Sequence, residues 1–167
     1  YARLEEADAG LLRRYYDFLV RYLELFCDGE LETVSMTHTG WDNDEYRCLN
    51  APASAWGEAG KLWMIARERK ERKLLAFVNL CGCGDDRWDR GKPTPAVRRG
   101  VRVQVQVDFP ATGVYTASPD GPSLEAQTVP YTVQTGAKGC FVAFELPAVE
   151  VWRIVWIEMK GGNEDEK

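Results

Sequence analysis

The chain has 167 residues, of which 45% are hydrophobic and 28% are charged, enough apolar material for one main domain but too little chain for a second full one. Its formal net charge of −5 argues against a nucleic-acid partner, because phosphate binding needs a clustered basic surface and the basic run 67–73 is interrupted by Glu68 and Glu71. No apolar stretch approaches the roughly 18–20 residues of a membrane span, so no membrane partner is predicted.

The first predicted element is one long amphipathic α-helix. Apolar residues between Leu4 and Phe26 recur at the spacing of a single helical stripe, with Asp8 as the expected N-terminal cap and Asp28-Gly29 as the end. The stripe consists of Leu4, Ala7, Leu11, Leu12, Tyr15, Leu19, Tyr22, Leu23 and Phe26. Other apolar side chains lie off the stripe, so we expect one sheet face to leave part of the helix uncovered: Tyr16, Phe18, Val20 and Leu25.

Beyond Gly29 the hydrophobic period changes from about 3.6 residues to about 2, which predicts an all-β body. The clearest strand is 101–107, whose valines are expected to face a core while Arg102, Gln104 and Gln106 face water. Residues 149–157 are apolar on nearly both faces, which predicts a central strand. The remaining predicted strands are 62–67 and 74–80 as a hairpin with a charged tip, 140–146 paired with 149–157 across Pro147, and shorter strands at 31–39, 113–117 and 129–133.

The number of short strands and the turns between them decide the predicted fold class. Seven or more strands at this spacing predict a mainly β fold, an antiparallel Greek-key β-sandwich preceded by one long amphipathic α-helix. The expected division of the chain is a helix over 1–29, a sandwich over 30–160 and a disordered tail over 161–167.

Two long connections, 40–60 and 81–96, are the predicted location of a binding site, since loops of this length are uncommon unless they have a function. Flat indole rings beside carboxylates suit a sugar, whose apolar ring face stacks while its hydroxyls donate to the acids. The alternative is that these rings fold inward and pin the loops to the sandwich. The candidate carbohydrate-binding residues are Trp41, Asp42, Asp85, Asp86 and Trp88, with Trp56 also in the first loop.

The sequence does not favour a catalytic site, a metal site or a set of disulfides. The single histidine, His38, lies on a predicted strand near Ser35, and no nucleophile elbow accompanies it. Cys81 and Cys83 lack the two-residue gap of a zinc pair, and the five cysteines do not form a disulfide framework. No catalytic residue, metal or cofactor is therefore predicted.

Several segments in order carry a resemblance to a known family. They are YYDFLVRY at 15–22, LWMIARE at 62–68, FVNL at 77–80, GDDRWDRGKP at 84–93, VYTASPDG at 114–121 and PYTV at 130–133. Together they resemble glycoside hydrolase family 66, which contains dextranases and cycloisomaltooligosaccharide glucanotransferases, over residues 11–158.

The resemblance implies a retaining enzyme for α-1,6-glucans, with an N-terminal β-sandwich, a (β/α)8 barrel and a C-terminal antiparallel β-domain. Residues 1–29 would be the last barrel helix and 30–160 the C-terminal domain. Since such a barrel needs about 250 residues, the catalytic pair is expected upstream on the same polypeptide, and a secreted location is implied.

Three functions follow as hypotheses from these observations. The leading one is a non-catalytic C-terminal region that braces the catalytic barrel of a dextran-acting enzyme, with the barrel as the expected partner and an α-glucan as a second candidate. The second is a carbohydrate-binding module that uses Trp41, Trp88 and the acids around them. The third is a protein-interaction module that docks through its N-terminal helix.

Overall fold

The computed structural model describes residues 5–40, 43–85, 87 and 89–161. The predicted helix is confirmed as α1, Glu6–Arg21, followed directly by the short α2, Leu23–Cys27. The predicted cap at Asp8 is wrong, since Glu5 precedes α1 and makes no side-chain cap hydrogen bond. The predicted end is confirmed, because Asp28 follows the last residue of α2, but Gly29 is not among the glycines with positive φ. Neither helix is long and apolar enough to cross a bilayer, within the residues described.

A series of strands follows the helices. In the described part of the chain they are β1 Glu32–Thr33, β2 Thr39–Gly40, β3 Asn43–Asp44, β4 Tyr46–Cys48, β5 Ala53–Ser54, β6 Leu62–Arg69, β7 Arg72–Asn79, β8 Val101–Val107, β9 Ala111–Ala117, β10 Gln127–Thr128, β11 Tyr131–Gly136, β12 Gly139–Leu146 and β13 Trp152–Met159. The predicted hairpin is β6 and β7, whose register leaves only Lys70 and Glu71 in the charged tip.

The strands form two packed sheets. The larger has the order β1-β6-β7-β13-β9-β10, with β5 also paired to β6, and the smaller has the order β11-β12-β8-β4. The pairings are antiparallel apart from β5 with β6, so the predicted mainly β, antiparallel sandwich is confirmed. Strands β2 and β3 form a separate two-stranded ribbon.

One predicted strand pair is wrong. Strand β12 pairs with β8 and β11 in the smaller sheet, whereas β13 lies between β7 and β9 in the larger one. The chain therefore changes sheets around Pro147 instead of forming a hairpin there. The central position predicted for β13 is confirmed.

The main core lies between the two sheets. The valines of β8 are buried there, against Leu75 and Phe77 of β7 and Val155 of β13. On the outer face of β8, Gln104 was expected to face water but is only 8% exposed. It is covered because its side chain hydrogen-bonds Arg47 and Gln134.

A second core lies on the other face of the larger sheet, under the helices. Phe18, Tyr22 and Leu25 pack there against side chains that include Ile154 and Trp156. The larger sheet is thus covered on both faces, which explains why β13 is apolar on both. The architecture is three layers: helix, larger sheet, smaller sheet.

Candidate functional site

The inner face of α1 is attached to the larger sheet by aromatic packing. Phe18 is fully buried, and its ring centroid lies 5.0 Å from that of Trp152 in an edge-on arrangement. Tyr22 contacts Trp156 at 5.7 Å between centroids, and Tyr15 stacks on Trp152 at 6.2 Å. Aromatic pairs in these geometries contribute about 0.5–1.5 kcal/mol each beyond area burial, so the helix is firmly attached.

Asp120 joins the helix to the start of the central strand. Its Oδ1 accepts a hydrogen bond from the Tyr15 hydroxyl at 2.5 Å. Its Oδ2 accepts from the backbone N–H groups of Val151 and Trp152 at 2.9 and 2.6 Å. Burial, together with the hydrogen bond and charge of Asp120, raises the pKa of Tyr15, so this hydroxyl remains a donor.

The segment around Asp120 also binds the helix through its carbonyl groups. The Arg14 guanidinium donates to the backbone oxygens of Pro119 and Gly121. About two helical turns further along, the Tyr22 hydroxyl donates to the Leu124 carbonyl at 2.7 Å. These contacts fix both the rotation of α1 and its position along the sheet.

Arg67 of β6 ties the other end of the helical segment to the sheet. Its guanidinium donates to the carbonyl oxygens of Phe26 at 2.9 Å, Asp28 at 3.0 Å and Leu31 at 2.9 Å. The last carbonyls of a helix have no intrahelical partner, so this side chain provides one for Phe26 and also bonds the segment that follows α2.

The outer face of α1 is apolar and uncovered within the described residues. The buried face includes Phe18 and Leu25, which the sequence had placed off the main stripe, together with Tyr22 of the stripe. Leu11 of the stripe is exposed, although it lies seven residues before Phe18 on the same side of the helix. The predicted stripe is therefore only partly buried, and the expectation of an uncovered part of the helix is confirmed. On the outer face of α1, the exposed fractions are 45% for Leu12, 65% for Tyr16 and 71% for Val20, and Leu23 at the start of α2 is 53% exposed.

Four of the five predicted carbohydrate-binding residues, Trp41, Asp42, Asp86 and Trp88, lie outside the described residues. The fifth, Asp85, accepts hydrogen bonds from the Lys92 ammonium and from the Arg87 backbone N–H at 2.9 Å. These contacts lower the pKa of Asp85 and engage its carboxylate within its own loop. A sugar site at these positions stays a prediction.

A cleft at the edge of the sandwich was not predicted. It has a volume of about 500 Å³ and is lined by residues of β4, β5 and β6 and of the loop that follows β5. Trp56 in that loop is 59% exposed. The sequence placed Trp56 in a long loop but could not show it beside a cleft, because β4 and β5 are too short for a periodic signal.

His38 does not form a catalytic triad with Ser35. It lies in a bend instead of a strand, and its Nδ1 is 2.7 Å from the Thr37 hydroxyl. The buried Ser35 hydroxyl bonds the backbone of Ala66. Among the residues described, no three histidine, cysteine or acidic side chains are grouped to hold a metal ion.

Near His38, a buried charge cluster lies between the two sheets at the tip end of β6. Glu68 accepts hydrogen bonds from the Tyr46 hydroxyl and from the Lys73 ammonium at 2.8 Å, and Lys73 is only 5% exposed. His38 Nε2 lies 3.9 Å from the other Glu68 oxygen. Burial raises the pKa of Tyr46, and its bond to Glu68 raises it further, so the cluster is a structural ion pair with a neutral phenol.

Comparison with known proteins identifies relatives over nearly the whole chain. The model of glycosyl hydrolase family 66 matches residues 5–156. Two cycloisomaltooligosaccharide glucanotransferases of Niallia circulans are 25% identical over 153 and 149 residues, which is 88% of this chain but 15% of each enzyme. A crystal structure of a Paenibacillus cycloisomaltooligosaccharide glucanotransferase in complex with cycloisomaltoheptaose superposes with a TM-score of 0.76 at 26% identity, covering 87% of this chain and 20% of that one.

Proposed function

Since this chain belongs to glycosyl hydrolase family 66, we propose that it is a non-catalytic C-terminal region of a dextran-acting glycoside hydrolase or glucanotransferase, and that it braces the catalytic barrel. Residues 1–29 would supply the last barrel helix and 30–160 the C-terminal β-domain. The relatives' name and the bound cycloisomaltoheptaose support an α-1,6-glucan as the substrate of the parent enzyme.

The observation that carries this proposal is the two-sided helix α1. Its inner face is fixed to the β-domain by Phe18, Tyr22 and the Asp120 contact, while its outer face exposes three large apolar side chains. Contiguous apolar surface of this kind marks an interaction site on soluble proteins. In a (β/α)8 barrel each outer helix packs one face on the strands, so a last barrel helix would use both faces at once.

The barrel is a better partner for this face than an unrelated protein. The matched segment is only 15% of each family relative, so these relatives are about seven times longer than the segment. Fully burying one large apolar side chain contributes about 1.5–3 kcal/mol. Several such residues along one helix therefore provide enough free energy for a permanent contact within one polypeptide.

The test compares the same substitutions in the 167-residue chain and in the complete polypeptide. Leu12→Ser combined with Val20→Ser should leave the melting temperature of the 167-residue chain nearly unchanged, because both side chains are exposed there. In the complete polypeptide read from the gene, we expect the melting temperature of the catalytic part to fall by several degrees. Calorimetry on both proteins measures the two effects.

Asp17→Ser changes an exposed polar residue on the same helix and is the matched control. It should leave the melting temperature of both proteins unchanged. Equal effects of the double variant in the two proteins would contradict the proposal. Hydrolysis of dextran by the 167-residue chain alone would contradict the non-catalytic assignment.

A further inference from the structure

The cleft at the edge of the sandwich lies on a different part of the molecule from α1. It opens where the edge strand β4 of the smaller sheet approaches β5 and β6 of the larger one, whereas α1 covers the outer face of the larger sheet. Its volume of about 500 Å³ falls within the range of about 300–1,000 Å³ that is typical of small-ligand sites. The lining side chains that matter here are Thr39, Arg47, Ser54, Trp56, Glu58 and Lys61.

Trp56 presents its indole to solvent from a tightly held loop. The Trp56 N–H donates to the Ser54 hydroxyl at 3.1 Å, and the Glu58 N–H donates to the Trp56 carbonyl at 2.7 Å. Beneath the loop, the indole of Trp63 donates to the Ala55 carbonyl at 3.0 Å. The backbone that carries the exposed ring is therefore pre-ordered, which lowers the entropy cost of binding a ligand.

Polar groups of fixed orientation line the same cleft as Trp56. Glu58 Oε2 accepts a hydrogen bond from Lys61 Nζ at 2.6 Å, and Oε1 accepts one from the Ser54 hydroxyl. These bonds lower the pKa of Glu58, so it remains a carboxylate acceptor at neutral pH. A carboxylate has about four acceptor positions and an ammonium three donors, so both groups keep capacity for further partners.

We propose that this cleft is a glucan-binding site of the C-terminal domain, in which a glucose unit of an α-1,6-glucan stacks on Trp56 while its hydroxyls bond Glu58 and Lys61. A sugar ring has one apolar face and a rim of hydroxyls, which matches a single exposed indole beside a carboxylate and an ammonium. A protein partner would instead favour a contiguous apolar surface such as the outer face of α1. The choice of an α-1,6-glucan rests on the proposed function.

Affinity electrophoresis of the 167-residue chain tests the site. Dextran cast into a native gel should retard the chain, and Trp56→Ala should weaken the apparent affinity at least about tenfold, because truncating an aromatic anchor commonly costs more than the 1.4 kcal/mol of a tenfold change. Trp56→Phe, which keeps a flat ring, should retain part of the retardation.

Tyr16→Ala, which removes an aromatic ring of similar exposure on the helix, is the matched control and should migrate in dextran like the unchanged chain. A second readout is acrylamide quenching of tryptophan fluorescence, which isomaltooligosaccharides should reduce in the unchanged chain but not in Trp56→Ala. Equal migration of the unchanged chain and Trp56→Ala in dextran would overturn the proposal. That failure would leave the bracing function untouched, since its test measures stability and not sugar binding.

Discussion

At the scale of single residues, the fold depends on a few polar side chains that each satisfy several partners. Asp120 accepts from one hydroxyl and two backbone N–H groups. Arg67 covers three carbonyls at the helix end with hydrogen bonds of 3.0 Å or less. Buried polar groups cost about 1–3 kcal/mol when left without a partner. These two residues therefore decide where the helical layer lies on the sheet.

The Glu68 carboxylate should make the stability of the chain depend on pH. Burial by itself raises the pKa of Glu68, but hydrogen bonds from Lys73 and Tyr46 and the Lys73 charge outweigh it and bring the pKa below its ordinary value of 4.5. A carboxyl whose pKa is lower in the folded state stabilises the fold above the unfolded-state pKa. That contribution is lost as the pH falls below about 4.5 through the folded-state pKa.

Glu68→Gln should therefore lower the free energy of unfolding at neutral pH by about 1.5–3 kcal/mol, the usual value of hydrogen bonds to a charged group. The difference in the free energy of unfolding between Glu68→Gln and the unchanged chain should become smaller as the pH falls from about 5 to about 3. Urea unfolding across this pH range measures both effects. Glu125→Gln, which removes an exposed ion pair with Arg21, is the control and should cost less than about 1 kcal/mol. A difference that does not change with pH would contradict the prediction.

At the scale of elements, the orientation of α1 decides which of its apolar residues stabilise the chain. Phe18→Ala should lower the free energy of unfolding by about 3–5 kcal/mol, because its ring is fully buried among other aromatic rings. Val20→Ala, two residues further along, should change it by less than about 0.5 kcal/mol, because Val20 is 71% exposed. Chemical denaturation of the two variants, side by side, measures the contrast, and similar losses for both would contradict the orientation described here.

The periodicity of the sequence predicts the elements better than their partners. It predicts the helix and the long strands, since a period of about 3.6 or 2 is a local property of the chain. It places Phe18 off the buried stripe of α1, because that helix is apolar over most of its circumference. It also cannot show that Leu11 is exposed, although Leu11 and Phe18 lie seven residues apart on the same side of the helix. It also pairs β12 with β13, because sequence proximity does not reveal that the chain changes sheets at Pro147.

At the scale of the whole molecule, the sequence does not predict that the helix, the larger sheet and the smaller sheet form three layers. The sandwich follows from the strand count, whereas the burial of the larger sheet on both faces depends on where the helix returns to it. The two candidate sites also differ in how far the sequence predicts them. The uncovered helix face was predicted from its surplus of apolar residues, but the edge cleft beside Trp56 depends on two short strands, β4 and β5, meeting at the sandwich edge.

The three-layer arrangement predicts that the sandwich does not stay intact without its helices. Deleting residues 5–27 would uncover Leu74, Ile154 and Trp156, which are at most 9% exposed in the chain. It would also remove Phe18, Tyr22 and Leu25, whose burial contributes about 1.5–3 kcal/mol each. The three burial contributions together approach the free energy of unfolding of a typical domain, about 5–15 kcal/mol.

We therefore expect the shortened chain to bind the dye ANS, to show red-shifted tryptophan emission and to self-associate through the bared sheet face. The Leu12→Ser and Val20→Ser double variant is the matched control, since it alters only the outer face of α1 and should remain a folded monomer. Size-exclusion chromatography and calorimetry separate the two results. If the shortened chain were a monomer that melts at the temperature of the intact one, the helices would be an appendage and not the third layer of the fold, because a layer that shields Ile154 and Trp156 cannot be removed without exposing them.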